Sequence, residues 1–319
     1  MSRIWITVVE RWIMQNQNSA GTPADPQPCP LCGGGAFWPI SFVDGSSKKI
    51  VLRSEGYHWR ACKACGNASP SGPATLDALQ QYWDHNRMES ESAPVTGAVW
   101  NSRLAASEKW AERTFRFVEG FLPDRPGRFL DVACGLGNTV AHFGRKGWDA
   151  YGIDADPNTK EFHQKLGVRT SIGQIENLDA GSEYDLISIA HAIYFISNPR
   201  EFVRKIRGML SKNGLFLVVI SDVLSSTNPA RPSLCITWEP TSRSLKYFLQ
   251  LEGFQVLKTK EMKGSYFILA RPGPARRCHP MPILAYLQHA THEWRYLIYG
   301  RFIVKGRAVA KKVKSAIFG

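Results

Sequence analysis

The sequence has no hydrophobic run that approaches the roughly 18 residues needed to span a bilayer. Its opening segment, Met1 to Met14, is short and carries Arg3, Glu10 and Arg11, which does not fit a secretory signal. We therefore expect a cytoplasmic protein. The 319 residues are enough to bury a large core, and the hydrophobic share of 44% is ordinary for a globular chain.

Acidic residues are scarce, above all at the C-terminus. The chain carries 27 Asp and Glu against 40 Lys and Arg, a formal net charge of +13. Between Arg276 and Gly319 only Glu293 opposes nine Lys or Arg. We predict a basic helical tail over residues 273–319. Three roles for it remain open: a helix on an anionic membrane surface (the inner face of the membrane), a contact with RNA phosphates, or a helix packed on the preceding domain.

Cysteine is also sparse, and the odd total of seven does not indicate a disulfide framework. Four of the seven form two C-x-x-C pairs: Cys29 with Cys32, and Cys62 with Cys65. Four thiolates on two such turns can bind zinc tetrahedrally, whereas the alternative is a set of free or redox-active cysteines. We predict a structural zinc site in a module of residues 29–87, which ends in a helix over Thr75–Arg87 and follows a flexible segment of residues 1–28.

Short apolar runs alternate with amphipathic segments from Gly127 onward, as in βαβ units around a parallel sheet. The runs are RFLDVA, WDAYGID, YDLISIA and LFLVVIS, and two closing strands are predicted within LQLEGFQVLKT and SYFILARP. A helix with Phe121 as one of its buried residues is predicted over Trp100–Phe121. Residues 98–272 are therefore predicted to form a doubly wound α/β domain.

A glycine loop follows the first of these strands. The strand ends at Asp131, the loop Ala133–Gly137 follows, and a helix begins near Asn138. The next strand ends at Asp154, where a carboxylate can accept hydrogen bonds from both hydroxyls of a ribose. Incidental glycines in a turn are one alternative, and a dinucleotide site is another. The dinucleotide pattern needs a third glycine that is missing here, and Asp131 would repel a pyrophosphate.

The segment from Trp100 to Pro272 resembles the class I S-adenosylmethionine-dependent methyltransferases. Asp131-Val-Ala-Cys-Gly-Leu-Gly137 is similar to their D-x-G-C-G-x-G loop, and GIDAD, residues 152–156, to the motif that ends their second strand. The resemblance implies a Rossmann-like, mostly parallel sheet of seven strands with one antiparallel strand, and S-adenosylmethionine as cofactor. It assigns cofactor contacts to Asp131, Ala133, Gly135 and Gly137 in the loop, to Asp154 and Ala155 at the ribose, and to Gln174 and Ile175 at the adenine.

Two of these positions depart from the family pattern. Ala133 stands where the family has its first glycine, a departure that is tolerable if φ is negative there, since a positive φ would strain an alanine. Gln174 stands where an acidic residue is common. The cysteine pairs, in CPLCG and CKACG, resemble the N-terminal zinc ribbon of some bacterial methyltransferases, which are often associated with surface polysaccharides, modified sugars or other small metabolites.

His191 is the candidate general base because it directly follows the strand YDLISIA, whose carboxyl end faces the cofactor in such sheets. The alternative is a histidine that only lines the site. Together these features predict O-methylation of a small molecule or a sugar precursor, and a sugar C-methyltransferase fits the same scaffold. Two other hypotheses remain: an RNA methyltransferase that uses the zinc module and the basic tail, and a non-enzymatic adaptor with a degenerate domain.

Overall fold

The computed structural model describes residues 27–40, 42–43, 50–51, 59–70, 98–174, 183–221, 237–274 and 280–287. Four predicted features lie wholly or mostly outside these ranges: the flexible N-terminal segment, the helix over Thr75–Arg87, the contact residue Ile175 and the basic tail. Among the described residues no helix is both long enough and apolar enough to cross a membrane.

The N-terminal module is built from short antiparallel strands around its cysteines. Its strands are β1 (Phe37–Ile40), β2 (Phe42–Val43), β3 (Ile50–Val51), β4 (Trp59–Cys62) and β5 (Ala68–Pro70). They form a three-stranded sheet in the order β1-β4-β5 and a two-stranded sheet of β2 and β3. Because Phe37 pairs with Cys62, the start of β1 and the end of β4 bring the two C-x-x-C turns together.

The second part of the chain is a seven-stranded sheet flanked by helices. Its helices are α1 (Ala98–Val118), α2 (Asn138–Arg145), α3 (Lys160–Leu166), α4 (Pro199–Met209) and α5 (Ser242–Leu251), and its strands are β6 (Arg128–Val132), β7 (Asp149–Asp154), β8 (Thr170–Ile172), β9 (Tyr184–Ala190), β10 (Leu210–Ser221), β11 (Phe254–Met262) and β12 (Ser265–Pro272). The strand order is β11-β12-β10-β9-β6-β7-β8, and β12 runs antiparallel to both of its neighbours. The predicted seven-stranded, mostly parallel sheet with one antiparallel strand is confirmed.

The two faces of the sheet bury separate apolar layers. On one face α1 and α2 supply Phe117, Val118, Val140 and Phe143, and Phe129 of β6 stacks on Phe143 with ring centroids 3.9 Å apart. On the other face α4 and α5 pack against residues such as Phe216 and Trp238. The prediction that Phe121 is buried is wrong: α1 ends before it, and its side chain is 42% exposed.

The N-terminal module does not have a separate hydrophobic core, because its apolar residues belong to the α4/α5 layer. Leu31 is fully buried in the same cluster as Trp238 and Phe248. Ala68 of β5 exchanges two backbone hydrogen bonds with Glu239, at 2.7 and 3.1 Å. The core of the α/β domain therefore extends into the cysteine module.

A helical segment at residues 282–287 covers the outer side of the module. Tyr286 lies against Trp38 with ring centroids 4.9 Å apart. Ala285 is fully buried against the second cysteine turn, where a side chain at Gly66 would come within 2.4 Å of its Cβ. This close approach explains a glycine at position 66 as much as the positive φ of 76° does.

Candidate active site

The carboxyl ends of the parallel strands gather the predicted cofactor residues at one edge of the sheet. Asp131 near the end of β6 accepts a hydrogen bond of 2.5 Å from Ser188 of β9. Asp154 at the end of β7 accepts from the backbone N–H of Gly135 at 2.6 Å and from that of Asp156 at 2.9 Å. The sheet therefore brings both acids to the glycine loop, as the sequence predicted.

The glycine loop turns through three residues with positive φ: Ala133 at 56°, Gly135 at 54° and Gly137 at 83°. The condition of a negative φ at Ala133 is therefore not met. The chain needs the left-handed conformation here to pass from the end of β6 into α2, and an alanine adopts it with strain where a glycine would not. At Gly135 no atom lies within 4 Å of an added Cβ, so this part of the loop is open.

Ala133→Gly is expected to stabilise the protein by about 1 kcal/mol, because relief of the left-handed strain exceeds the extra backbone entropy of glycine in the unfolded chain. Ala105→Gly is the matched control: Ala105 is exposed in the middle of α1, where the same change should cost a similar amount. Urea denaturation of the two variants measures the change in the free energy of unfolding, which should be positive for Ala133→Gly and negative for Ala105→Gly. A destabilised Ala133→Gly variant would show that the loop gains nothing from a glycine.

Asp131 is a buried carboxyl, 5% exposed, with a second acid close by. Burial raises its pKa to about 7; the negative charge of Asp154 adds to this increase, whereas hydrogen bonds from Ser188 and Thr139 oppose it. Near neutral pH this carboxyl is therefore divided between its protonated and ionised forms. A cationic ligand group beside it would favour the ionised form.

The affinity for S-adenosylhomocysteine is expected to fall as the pH drops from 8 to 6. The ligand carries an ammonium group, which pairs best with ionised Asp131, so binding must release the proton that the free protein holds below pH 7. Calorimetric titration in two buffers of different ionisation enthalpy measures this proton release directly. Asp131→Asn is expected to bind weakly with a flatter pH profile. A wild-type affinity that is constant over this range would contradict the role of Asp131.

His163 of α3 is a site residue that the sequence reasoning did not identify. It is 2% exposed, its Nε2 lies 2.7 Å from the carbonyl oxygen of Gly135, and its Nδ1 lies 2.9 Å from the hydroxyl of Thr170. An added Cβ at Gly137 would come within 2.9 Å of the His163 ring. The imidazole thus ties the glycine loop to β8. No local signal could have found it, because its partners come from two distant segments.

His191 directly follows β9, as predicted, and has a positive φ of 55°. Its Nδ1 lies 3.1 Å from the hydroxyl of Ser221 and its Nε2 lies 3.2 Å from that of Ser265. The ring of Trp110 lies 5.2 Å away between centroids. Burial lowers the pKa of His191 to about 4, so the ring is neutral at physiological pH and offers one donor and one acceptor nitrogen.

The other predicted contacts lie around the same edge. Gln174 is half-buried just after β8, where Gly173 donates its backbone N–H to the carbonyl of Asp154 at 2.8 Å. Ala155 is half-buried next to Asp154, and Ile175 lies outside the described residues. Burial raises the pKa of the Cys134 thiol well above its usual value, so this loop cysteine stays protonated and is a poor nucleophile.

The four predicted metal ligands form one compact cluster. The Sγ atoms of Cys29, Cys32, Cys62 and Cys65 all lie within 4.8 Å of one another. In each C-x-x-C turn a glycine N–H donates to the carbonyl of the first cysteine, Gly33 to Cys29 at 2.9 Å and Gly66 to Cys62 at 2.8 Å. Two matching turns that face each other make a four-sulfur set of the kind that binds zinc.

Several known methyltransferases are similar to this chain. Ajmaline N-methyltransferase of Rauvolfia serpentina is 24% identical over 157 residues, which are 44% of this chain and 53% of that protein. The chain thus spans about half the length of this curated relative. A solved S-adenosylmethionine-dependent methyltransferase of Clostridium acetobutylicum gives a TM-score of 0.43 at 14% identity over 59% of this chain and 97% of that one. The glycopeptide N-methyltransferase MtfA in complex with S-adenosylmethionine gives 0.41 at 14% identity, over 53% and 93%.

A family model described as a methyltransferase domain matches residues 103–266, just over half of the chain. The match runs from α1 to β12 and includes the glycine loop, both acids and His191. The chain belongs to this family and is a class I S-adenosylmethionine-dependent methyltransferase. The match with a methyltransferase family favours the enzymatic hypotheses over the non-enzymatic adaptor.

Proposed function

We propose that this enzyme methylates an oxygen of a small-molecule or sugar acceptor, and that His191 receives the proton of the acceptor hydroxyl. One observation carries the proposal: His191 is held by Ser221 and Ser265 at the sheet edge where the cofactor acids converge. A hydroxyl needs a base to become a good nucleophile, and a neutral imidazole nitrogen can take its proton.

The surrounding residues orient the ring and exclude water. Trp110 lies against one side of His191, and the two serine hydroxyls set its rotation. When bound, S-adenosylmethionine supplies an electrophilic methyl group. The acceptor hydroxyl would replace one serine as the partner of the unprotonated ring nitrogen. Asp131, Asp154 and the open part of the loop at Gly135 would hold the amino-acid and ribose parts of the cofactor.

We also propose that the cysteine cluster binds one structural zinc ion. Four sulfurs complete a tetrahedral site and leave no ligand position for a substrate or water, which is the mark of a structural zinc site. The cluster packs with the α4/α5 layer, and three of its four cysteines are buried. Its role would be to hold the module on the catalytic domain.

Nitrogen is the second candidate for the methylated atom, because two of the similar proteins are named N-methyltransferases. A neutral amine needs no base, so His191 would then only line the site. RNA as the acceptor requires a basic path from the cysteine module to the cofactor edge. The module packs on the α4/α5 face of the sheet, whereas α1 with its cations lies on the opposite face, and this separation favours a small acceptor.

The test is transfer from ¹³C-methyl-labelled S-adenosylmethionine by the full chain into an extract of its source cells, split by size into small molecules, glycans and RNA. The carbon shift of the labelled methyl distinguishes oxygen from nitrogen and carbon. Label on oxygen in the small-molecule or glycan fraction is the expected result. Label in RNA alone would overturn the proposal.

The matched variants are His191→Asn and Ser221→Ala. Loss of transfer in His191→Asn with unchanged affinity for S-adenosylhomocysteine is expected for a base. Ser221→Ala, which keeps the imidazole, should retain much of the activity. Equal activity of His191→Asn and the wild type would leave the histidine as a lining residue and point to an acceptor that needs no base.

A further inference from the structure

A groove lies between α1 and the edge strand β11, and its lining follows from two periodicities. Helical spacing puts Lys109, Arg113 and Arg116 on one side of α1, and strand spacing puts Lys258 and Lys260 on one side of β11. The hairpin residue Lys263 closes the end. The two rows face each other across a space of about 420 Å³, which is the size of a site for a small ligand.

The groove is strongly positive. Six cations line it, and Glu112 is the only carboxylate among its described lining residues. Glu112 is paired with Arg116 at 2.5 Å, and the lining as a whole keeps a formal net charge of +5. Lys258 is held in place, since its Nζ donates to the carbonyl of Phe117 at 2.8 Å and lies 4.6 Å from the centre of that ring. The groove is thus concave, ordered on one side and suited to an anion of more than one charge.

The groove adjoins the proposed catalytic residue. Arg113 lies over Trp110 at 5.9 Å, and the other contacts of Trp110 include the ring of His191. At the hairpin, Met262 in the groove pairs with Ser265, whose hydroxyl lies 3.2 Å from the ring of His191. Because β11 is parallel to β10, this hairpin is at the same edge of the sheet as the cofactor loop. One side chain separates the groove from His191.

We propose that the groove between α1 and β11 binds the phosphate groups of the methyl acceptor, and that this acceptor is a phosphorylated small molecule of the sugar-diphosphate type. The inference rests on the proposed function, since it places the anionic end of the acceptor in the groove and its hydroxyl at His191. A diphosphate has the size and charge for such a space, and it could belong to a soluble nucleotide or to a lipid carrier. A nucleic acid would need the cations to continue well beyond a space of this volume.

The test measures binding of inorganic pyrophosphate to the full chain by calorimetry at physiological ionic strength. The groove variant is Lys260→Gln with Lys263→Gln, two exposed residues outside the cofactor contacts. The control is Lys165→Gln with Lys212→Gln, which removes the same charge from exposed positions on α3 and at the start of β10. We expect a loss of about tenfold or more in the groove variant and less than about twofold in the control.

Two further arms separate the sources of the phosphate and the proposals themselves. Uridine diphosphate in solution and vesicles that contain a long-chain isoprenoid diphosphate are titrated in the same way, and the tighter ligand identifies the source. The affinity for S-adenosylhomocysteine should be equal in all variants. If the wild type did not bind S-adenosylhomocysteine, this would count against the proposed function and leave the groove result intact. Equal pyrophosphate affinity in the groove and control variants, or binding of single-stranded RNA without binding of pyrophosphate, overturns the groove proposal.

Discussion

Removal of the proposed zinc ion from the cysteine cluster is expected to destabilise the whole protein. Cys29, Leu31 and Cys62 are buried in the same apolar layer as α4 and α5. Unfolding of the module would therefore expose part of this layer to solvent. Structural zinc sites contribute their binding free energy to folding. We expect Cys62→Ser, or treatment with a strong chelator, to lower the melting temperature of the catalytic domain by about 10 °C or more.

Metal analysis by mass spectrometry and thermal unfolding followed by circular dichroism measure this effect. One zinc ion per chain and a single unfolding transition are expected for the wild type. Cys278→Ser is the matched control, since it makes the same change at a cysteine outside the two C-x-x-C pairs and should leave both quantities unaltered. A metal-free protein whose catalytic domain melts at the wild-type temperature would show that the module does not contribute to the stability of that domain.

Asp154→Asn is expected to weaken binding of S-adenosylhomocysteine by about 30-fold or more, since hydrogen bonds to a charged acceptor each contribute about 1.5–3 kcal/mol. Both carboxylate oxygens already accept backbone N–H groups, from Gly135 and Asp156. In either orientation the amide of an asparagine would therefore place a donor against a donor. The substitution should disturb the loop as well as the contact with the ribose.

Asp156→Asn is the control for this prediction. It makes the same change two residues further on, where the carboxylate also accepts local hydrogen bonds from Asn158 and has no assigned cofactor contact. We expect its affinity to change by less than about threefold. Calorimetric titration gives the affinities, and thermal unfolding verifies that each variant is folded. Unchanged affinity in Asp154→Asn would overturn the assignment of the ribose.

The strands of the catalytic domain could be predicted because their signals are local. RFLDVA, YDLISIA and LFLVVIS are apolar runs of strand length, and each is a strand in the structure. The glycine loop was predicted for the same reason, as its glycines and the flanking acids lie within one short segment. Ala133 shows the limit of this reasoning: the residue type argued for a negative φ, and the path of the chain required a positive one.

Contacts between distant segments were not predictable. His163 holds the carbonyl of Gly135, and nothing in the sequence around either residue indicates this. The groove between α1 and β11 combines residues more than 140 positions apart, each of which resembles an ordinary solvated cation when considered alone. The serines on either side of His191 likewise come from two different strands.

The sequence by itself determined the class of this protein, its strands, its glycine loop and its set of four cysteines, because these depend on residue type and short spacing. Only the tertiary structure decided that the cysteine module shares the core of the catalytic domain, that His191 lies between two serines and Trp110, and that the cations of α1 and β11 face each other. Those features depend on which surfaces meet, and this is set by the burial of apolar faces from the whole chain at once.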